Sequence, residues 1–274
     1  MKWRVINSGL DSAANNMAVD EAMLQAHARG QTPPTLRLYG WKPAAVSLGY
    51  FQKAKAEVDI EECRRQGIDV VRRLTGGRAV LHDAELTYSV VVREDHPLIP
   101  ATITASYRYF SEGLLAGLKR LGIDASLSMP RAAYGRTKRQ QASAACFDAP
   151  SHYEITVQGR KLAGSAQVRK NGVILQHGSI LLAFDPGRVA ALLNLPSPAM
   201  KEAVAAMLAK RAVSVTEIAG REITRDEACQ AMLAAFGPAL GVELEPGRLS
   251  EQEVAAAAEL AAARYSRDSW NLLR

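Results

Sequence analysis

Cysteine is scarce in this chain, with three among 274 residues, at positions 63, 146 and 229. So few, so widely spaced, exclude a disulfide scaffold, and no CxxC pair marks a zinc site. Reduced thiols suit a cytoplasmic setting. Long apolar runs are lacking too: no stretch approaches the roughly 20 residues that span a bilayer. The opening MKWRVINSGLDSAANN has no apolar core of a secretory signal. Charge is not heavily one-sided, since 34 Lys and Arg stand against 28 Asp and Glu. A net +6 permits an acidic partner without specifying one. What is present, 48% hydrophobic and 23% charged residues, is the composition of a globular chain with a sizeable core.

The first two-thirds alternate strands and helices. WRVIN reads as a strand and residues 12–29 as a helix closed by Gly30. TLRLYG and AAVSLG read as strands on either side of Lys42-Pro43, and Asp59 with Glu62 as the capping box of a short helix. DVVRR and LTYSVVV are β-branched runs around a glycine turn, and 104–121 a long helix ending at Gly122. Residues 152–183 read as a β-meander with Asn171-Gly172 at a hairpin. After Asp185 the chain turns Ala- and Leu-rich, with helices expected at 187–194, 198–211, 224–236 and 250–265. Thr224/Glu227 and Ser250/Glu253 look like two more capping boxes, and GVELEPG is either a short strand or a connector. The expected organisation is an α+β catalytic domain over 1–195, with a helical portion over 196–274 packed on it.

Three segments carry chemistry. In RRLTGGRAVLHD, residues 72–83, adjacent glycines require a sharp turn or a close backbone approach to a ligand. The arginines and free amides around that turn suit an acyl carbonyl or a phosphate, but the Gly-Lys-Ser/Thr ending of a P-loop is missing. In SAACFDAPSHYEI, Cys146 sits in a loop before a strand, whereas Cys63 and Cys229 fall inside helices and read as core. In GRKLAGSAQ, a hairpin near Gly159 would bring Lys161 back toward Cys146, where an ammonium favours the thiolate. His82, His152 and His177 show no metal-ligand spacing, so no metal is expected, and His177 in VILQHGSILL reads as a satisfied core histidine. The basic run RAAYGRTKRQ has no accompanying nucleic-acid-binding signature and reads as a solvated loop.

Together RRLTGGRAVLHD, GRKLAGSAQ and VILQHGSILL resemble the motifs of the biotin/lipoate ligase and lipoyl-transferase superfamily, over roughly residues 1–195. That resemblance implies a central mixed, largely antiparallel sheet flanked by helices. SAACFDAPSHYEI resembles the Cys-dependent octanoyltransferases of lipoate synthesis. Carried over, Cys146 is the nucleophile and Lys161 the residue that lowers its pKa. Arg73, Gly76, Gly77, His82, Gly164 and Ser165 are the expected substrate-binding residues, with Leu74, Val80, Leu81 and Val157 as candidate walls of an acyl tunnel. The implied donor is octanoyl-acyl carrier protein. The implied acceptor is a lysine of a lipoyl domain such as glycine cleavage H protein. No cofactor, nucleic acid or membrane is implied, and Arg131, Arg136, Lys138 and Arg139 suit docking of acidic partners. An ATP-dependent lipoate–protein ligase is the nearest alternative. Arg78 stands where those ligases usually show a third glycine, which argues against adenylation. A second alternative moves octanoyl between lipoyl domains, but its Cys-Pro-Gly-Ser-Tyr segment fits CFDAPSHY less well.

Overall fold

The computed structural model describes residues 1–128 and 154–274. Cys146, His152 and the basic run at 131–140 lie outside the described residues. The chain begins with β1 (Lys2–Asp11), α1 (Ala13–Ala28), β2 (Thr35–Trp41) and β3 (Ala45–Leu48). Two short helices, α2 (Ala54–Glu57) and α3 (Ile60–Arg65), lead to β4 (Asp69–Arg72), β5 (Val80–His82) and β6 (Glu85–Arg93). Then come α4 (Ile103–Arg120), β7 (Ser126–Ser128), β8 (Glu154–Val157), β9 (Arg160–Lys170) and β10 (Val173–Leu181). The rest is mostly helical: α5 (Pro186–Ala191), α6 (Pro198–Arg211), α7 (Val215–Ala219), α8 (Arg225–Leu240), a strand β11 (Glu243–Pro246), α9 (Glu251–Leu260) and α10 (Asp268–Asn271).

Eight strands form one sheet in the order β11-β1-β2-β6-β10-β9-β8-β7, and β4-β3-β5 form a second. The large sheet is parallel only at β11-β1-β2 and antiparallel from there on, which is the mixed, largely antiparallel sheet expected. GVELEPG, open between strand and connector, supplies β11 at the sheet edge. One face of the sheet buries Tyr88 and Val90 with Phe110, Leu114, Met232 and Phe236 of α4 and α8. The other face buries Tyr39, Val91 and Leu175 against Met17, Met23 and Leu24 of α1. That second face also carries the site.

Cap chemistry differs from the reading in one respect. Asp59, Thr224 and Ser250 all accept a backbone N–H at the third helical residue, but only Ser250 and Glu253 close the reciprocal box. Glu62 turns instead to Arg65 and Gln66, three and four residues on, and Glu227 to Arg221, which precedes the helix; these donors compete with the cap for the carboxylates. The helix read as ending at 236 continues through Pro238 to a left-handed Gly241. The one read at 250–265 is α-helical to Leu260 and then widens into a π-helical turn over Ala261–Tyr265. Among the described residues no helix is long and apolar enough to cross a membrane.

Candidate active site

The turn between β4 and β5 is built around Arg73, whose buried guanidinium reaches oxygens of Ser47, Thr75, Gly76 and Arg78. Its Nη1 donates to the carbonyl and hydroxyl of Ser47 at 2.8 and 3.0 Å. Its Nη2 donates to the carbonyls of Gly76 and Arg78, each at 2.8 Å, and Nε to Thr75 Oγ1 at 3.1 Å. The arginine therefore shapes the loop with its own donors. Gly77 takes φ +99°, a conformation glycine adopts without strain, and a Cβ on Gly49 would collide with the Gly77 carbonyl. Glycine is needed on both sides of this contact.

Beneath the turn, between the two sheets, lies a cavity of about 260 Å³. Its inner wall comes from Met17, Tyr39, Trp41 and Thr87, and its outer wall from Gly77, Arg78, Val80 and the β9 residues Gly164, Ser165 and Ala166. The inner group is buried, and the outer group is half-buried or exposed.

Two buried histidine–carboxylate pairs flank the cavity. His177 meets Asp20 Oδ2 through Nδ1 at 3.2 Å and Thr75 Oγ1 through Nε2 at 2.7 Å. Burial holds the His177 pKa below its ordinary value, with the charges of Arg73 and His82 adding, against the pull of Asp20. A neutral ring follows, with Nδ1–H donated to Asp20 and Nε2 accepting from the Thr75 hydroxyl. Burial alone would raise the Asp20 pKa, but His177, Arg37 and Ser89 hold it below the ordinary carboxylate value. Asp20 accepts from Arg37 Nη1 at 2.9 Å, from Tyr39 Oη at 2.9 Å and from Ser89 Oγ at 2.8 Å. In the second pair, His82 bonds Glu85 through Nδ1 at 2.6 Å and Ser47 Oγ through Nε2 at 2.8 Å. Glu85 also accepts from Thr87 and Ser179, and Trp41 stacks on His82 with ring centroids 4.0 Å apart. Trp41 Nε1 donates to Thr87 Oγ1 at 2.7 Å. The hydroxyls, rings and carboxylates around the cavity are thus paired with one another. What faces the space between them suits methylenes better than polar groups.

Lys161 lies at the outer end. The β8–β9 hairpin sets Thr156 opposite Lys161, so the lysine folds back beside β8. Lys161 Nζ donates to Glu154 Oε1 at 2.6 Å, and both side chains are nearly inaccessible. The lysine tip crosses Gly164, whose ideal Cβ position is 3.0 Å from Nζ. Glycine there lets the ammonium lie at the cavity wall.

The structure thus brings Arg73, Gly77, His82, Gly164 and Ser165 to one cavity, while Gly76 turns its carbonyl to Arg73. Of the four expected tunnel walls only Val80 lines the cavity. Val157 is buried in the core on the other face of the sheet, Leu74 packs against the core around α1, and Leu81 packs with the small sheet. Strand alternation explains Val157, because its parity points it to the α4 side. Cys63 and Cys229 are buried in helices as expected, and burial pushes the Cys63 thiol up to about 11. His177 is the satisfied buried histidine expected, yet it also lines the cavity. Asp20, Met17, Tyr39 and Trp41 carry no local motif and were not legible as site residues. Among the described residues no cluster of three or more His, Cys, Asp or Glu is placed to hold a metal.

Comparison with known proteins agrees with this geometry. The family described as the lipoyl protein ligase A/B catalytic domain matches residues 12–237. The octanoyltransferase LipM of Kyrpidia tusciae is 50% identical over 269 residues, 98% of each chain. LipM of Bacillus subtilis is 46% identical over 99% of this chain and 98% of its own. Among solved structures, a bipartite lipoate protein ligase from Thermoplasma acidophilum superposes with a TM-score of 0.83 at 27% identity, covering 100% of this chain and 98% of that one. A lipoate-protein ligase A bound with ATP gives 0.79 at 27% identity, covering 99% of both. With more than half of its length matched by the family and full-length relatives near 50% identity, the chain belongs to the lipoyl protein ligase A/B catalytic domain family.

Proposed function

We propose that the protein is an octanoyltransferase of lipoate biosynthesis. It moves octanoyl from octanoyl-acyl carrier protein to a lysine of a lipoyl domain, such as glycine cleavage H protein, through a thioester on Cys146. The observation that carries this reading is the cavity under the TGG turn, whose hydroxyls and histidines are hydrogen-bonded to neighbouring side chains and whose outer end meets the Lys161 ammonium. Such a site suits an aliphatic chain with its carbonyl toward the lysine. The octanoyltransferase activity for which the full-length relatives are named is in keeping with it.

The chemistry runs in two half-reactions. The Cys146 thiolate attacks the donor thioester, forms an enzyme thioester and releases the pantetheine thiolate, which takes up a proton. The acceptor lysine, as free amine, then attacks that thioester. An amide forms, the Cys146 thiolate leaves, and the amine's proton passes to solvent or a nearby base. Lys161 favours the thiolate and stabilises the developing oxyanion. Glu154 tempers its charge and fixes its position. Arg78 occupies the cavity wall where ATP-dependent ligases usually carry a glycine, which supports a reaction without adenylation.

Intact-mass analysis tests the reading. Mixing with octanoyl-acyl carrier protein and no acceptor should add one octanoyl group, released by neutral hydroxylamine and absent in Cys146→Ser. An adduct that persists in Cys146→Ala, or product that forms only from ATP and free octanoate, would replace the transferase with a ligase.

A further inference from the structure

The strand register gives the cavity an axis. Gly164 of β9 lies opposite Ser179 of β10, Ser179 opposite Thr87 of β6, and Thr87 opposite Tyr39 of β2. All four line the cavity, so it runs across the strands over three inter-strand steps, about 14 Å at about 4.8 Å each. Lys161 Nζ marks the near end, beside the half-buried Gly164. His177 and His82 stand on the two sides. At the far end Tyr39, Met17 and Trp41 are 0%, 4% and 5% exposed.

These three far-end side chains differ in freedom. Tyr39 is held by its hydroxyl bond to Asp20 and by the Arg37 guanidinium 3.9 Å from its ring centroid. Trp41 is held by its bond to Thr87 and its stack on His82. Met17 has no strong hydrogen-bonding group and three rotatable side-chain bonds, so only packing positions it. It enters from α1, one helical turn before Asp20 and therefore on the same helix face. An acyl chain whose carbonyl lies near Lys161 must direct its methyl end at this group.

We propose that Met17, beside Tyr39 and Trp41 at the far end of the cavity, is the stop that sets acyl chain length. The proposal rests on the acyl-transfer reading above. Met17 lines the far end beside Tyr39 and Trp41, whose rings are fixed by their hydrogen bonds, so its flexible side chain is the one whose volume can vary there. Changing the volume at residue 17 therefore changes the longest chain that fits while leaving the reacting end as it is.

The test measures acyl-enzyme formation by intact mass from hexanoyl-, octanoyl-, decanoyl- and dodecanoyl-acyl carrier protein, giving kcat/KM for each. Met17→Ala should raise the decanoyl-to-octanoyl ratio about tenfold or more, the lower end of what one methylene is worth in a fitted pocket. Met17→Phe should lower the octanoyl rate and raise the hexanoyl-to-octanoyl ratio. Met17→Val removes less volume, shifts the ratio the same way in smaller measure, and carries the test where the Ala variant does not fold. Unchanged ratios in folded variants overturn the proposal. A parent protein that forms no octanoyl-enzyme overturns the acyl-transfer reading instead, so the two failures are distinguishable.

Discussion

Lys161 and Glu154 form a buried ion pair across the β8–β9 hairpin, Nζ to Oε1 at 2.6 Å, at the edge of the cavity. A buried ammonium with an adjacent carboxylate presents less net charge to a neighbouring thiol than a lone lysine would. Glu154→Gln should therefore move the pH profile of Cys146 alkylation to lower pH, and Lys161→Ala should move it higher. Removing one partner of a buried pair also destabilises by about 3–5 kcal/mol, so denaturant unfolding of both variants should show a loss. Profiles that do not move in opposite directions would separate Lys161 from thiol activation.

Arg72 joins the C-terminal segment to the site. Its guanidinium donates to the carbonyls of Gly49, Tyr50 and Gln52 on one side, and to those of Trp270 and Asn271 on the other, at 2.9–3.2 Å. Asn271 Oδ1 and Trp270 Nε1 bond the Arg72 backbone in return. Lysine has a single nitrogen and cannot span both groups. Arg72→Lys should cost about 3 kcal/mol in denaturant unfolding, since several buried acceptors lose a charged donor. Deleting residues 268–274 should cost a similar amount, and combining the two should add little, because both break one network. Additive losses would show that the contacts are independent.

The sequence made the local chemistry legible. Asn171 and Gly172 adopt φ 54° and 72° at the β9–β10 turn, as an Asn-Gly hairpin signal requires. The TGG run marks the turn over the cavity, and the Lys161 hairpin follows from a glycine between two β-rich runs. Long-range pairings left no such trace. Asp20 and His177 are 157 positions apart, and Arg72 and Asn271 are 199 apart. None of them stands out from its neighbours in sequence until its partner is placed beside it. Glu154 is only seven positions from Lys161. Its role still depends on the β-bulge between Ile155 and Thr156, which periodicity does not announce.

Stability should fall between neutral and mildly acid pH, with His177 responsible for part of the slope. Its folded pKa lies below the ordinary 6.5 because of burial and the charges of Arg73 and His82. As pH drops below 6.5 the unfolded chain binds a proton that the folded protein does not. Stability is then lost until pH reaches the folded value, at up to about 1.4 kcal/mol per pH unit for one proton. Asp20 acts lower still: its pKa is depressed, so its contribution is present above 3.8 and lost as pH falls through the folded value. His177→Gln should flatten the stability profile below pH 6.5. A residual slope should remain, because the pKa values of His27 and His96 are also lowered. A variant with the parent's slope would show that His177 takes up its proton equally in both states.

Gly49 and Gly76 should respond very unequally to the same substitution. A Cβ on Gly49 would run into the Gly77 carbonyl, where β3 leaves the small sheet and Tyr50 N donates to Thr75 O at 2.9 Å. Backbone on both sides cannot yield as a side chain would, so Gly49→Ala must push the TGG turn away from the loop or outward from the cavity. A Cβ on Gly76 meets nothing within 4 Å, and the residue's φ is not in the left-handed region. Gly49→Ala should cost about 1–3 kcal/mol, as overpacking does, and should slow acyl-enzyme formation. Gly76→Ala should stay within about 0.5 kcal/mol of the parent in denaturant unfolding, the range of substitutions that touch nothing. Equal stabilities for the two would mean that the turn moves freely over the cavity. In that case Arg73, with bonds to Ser47, Gly76 and Arg78, would be holding its shape but not its position.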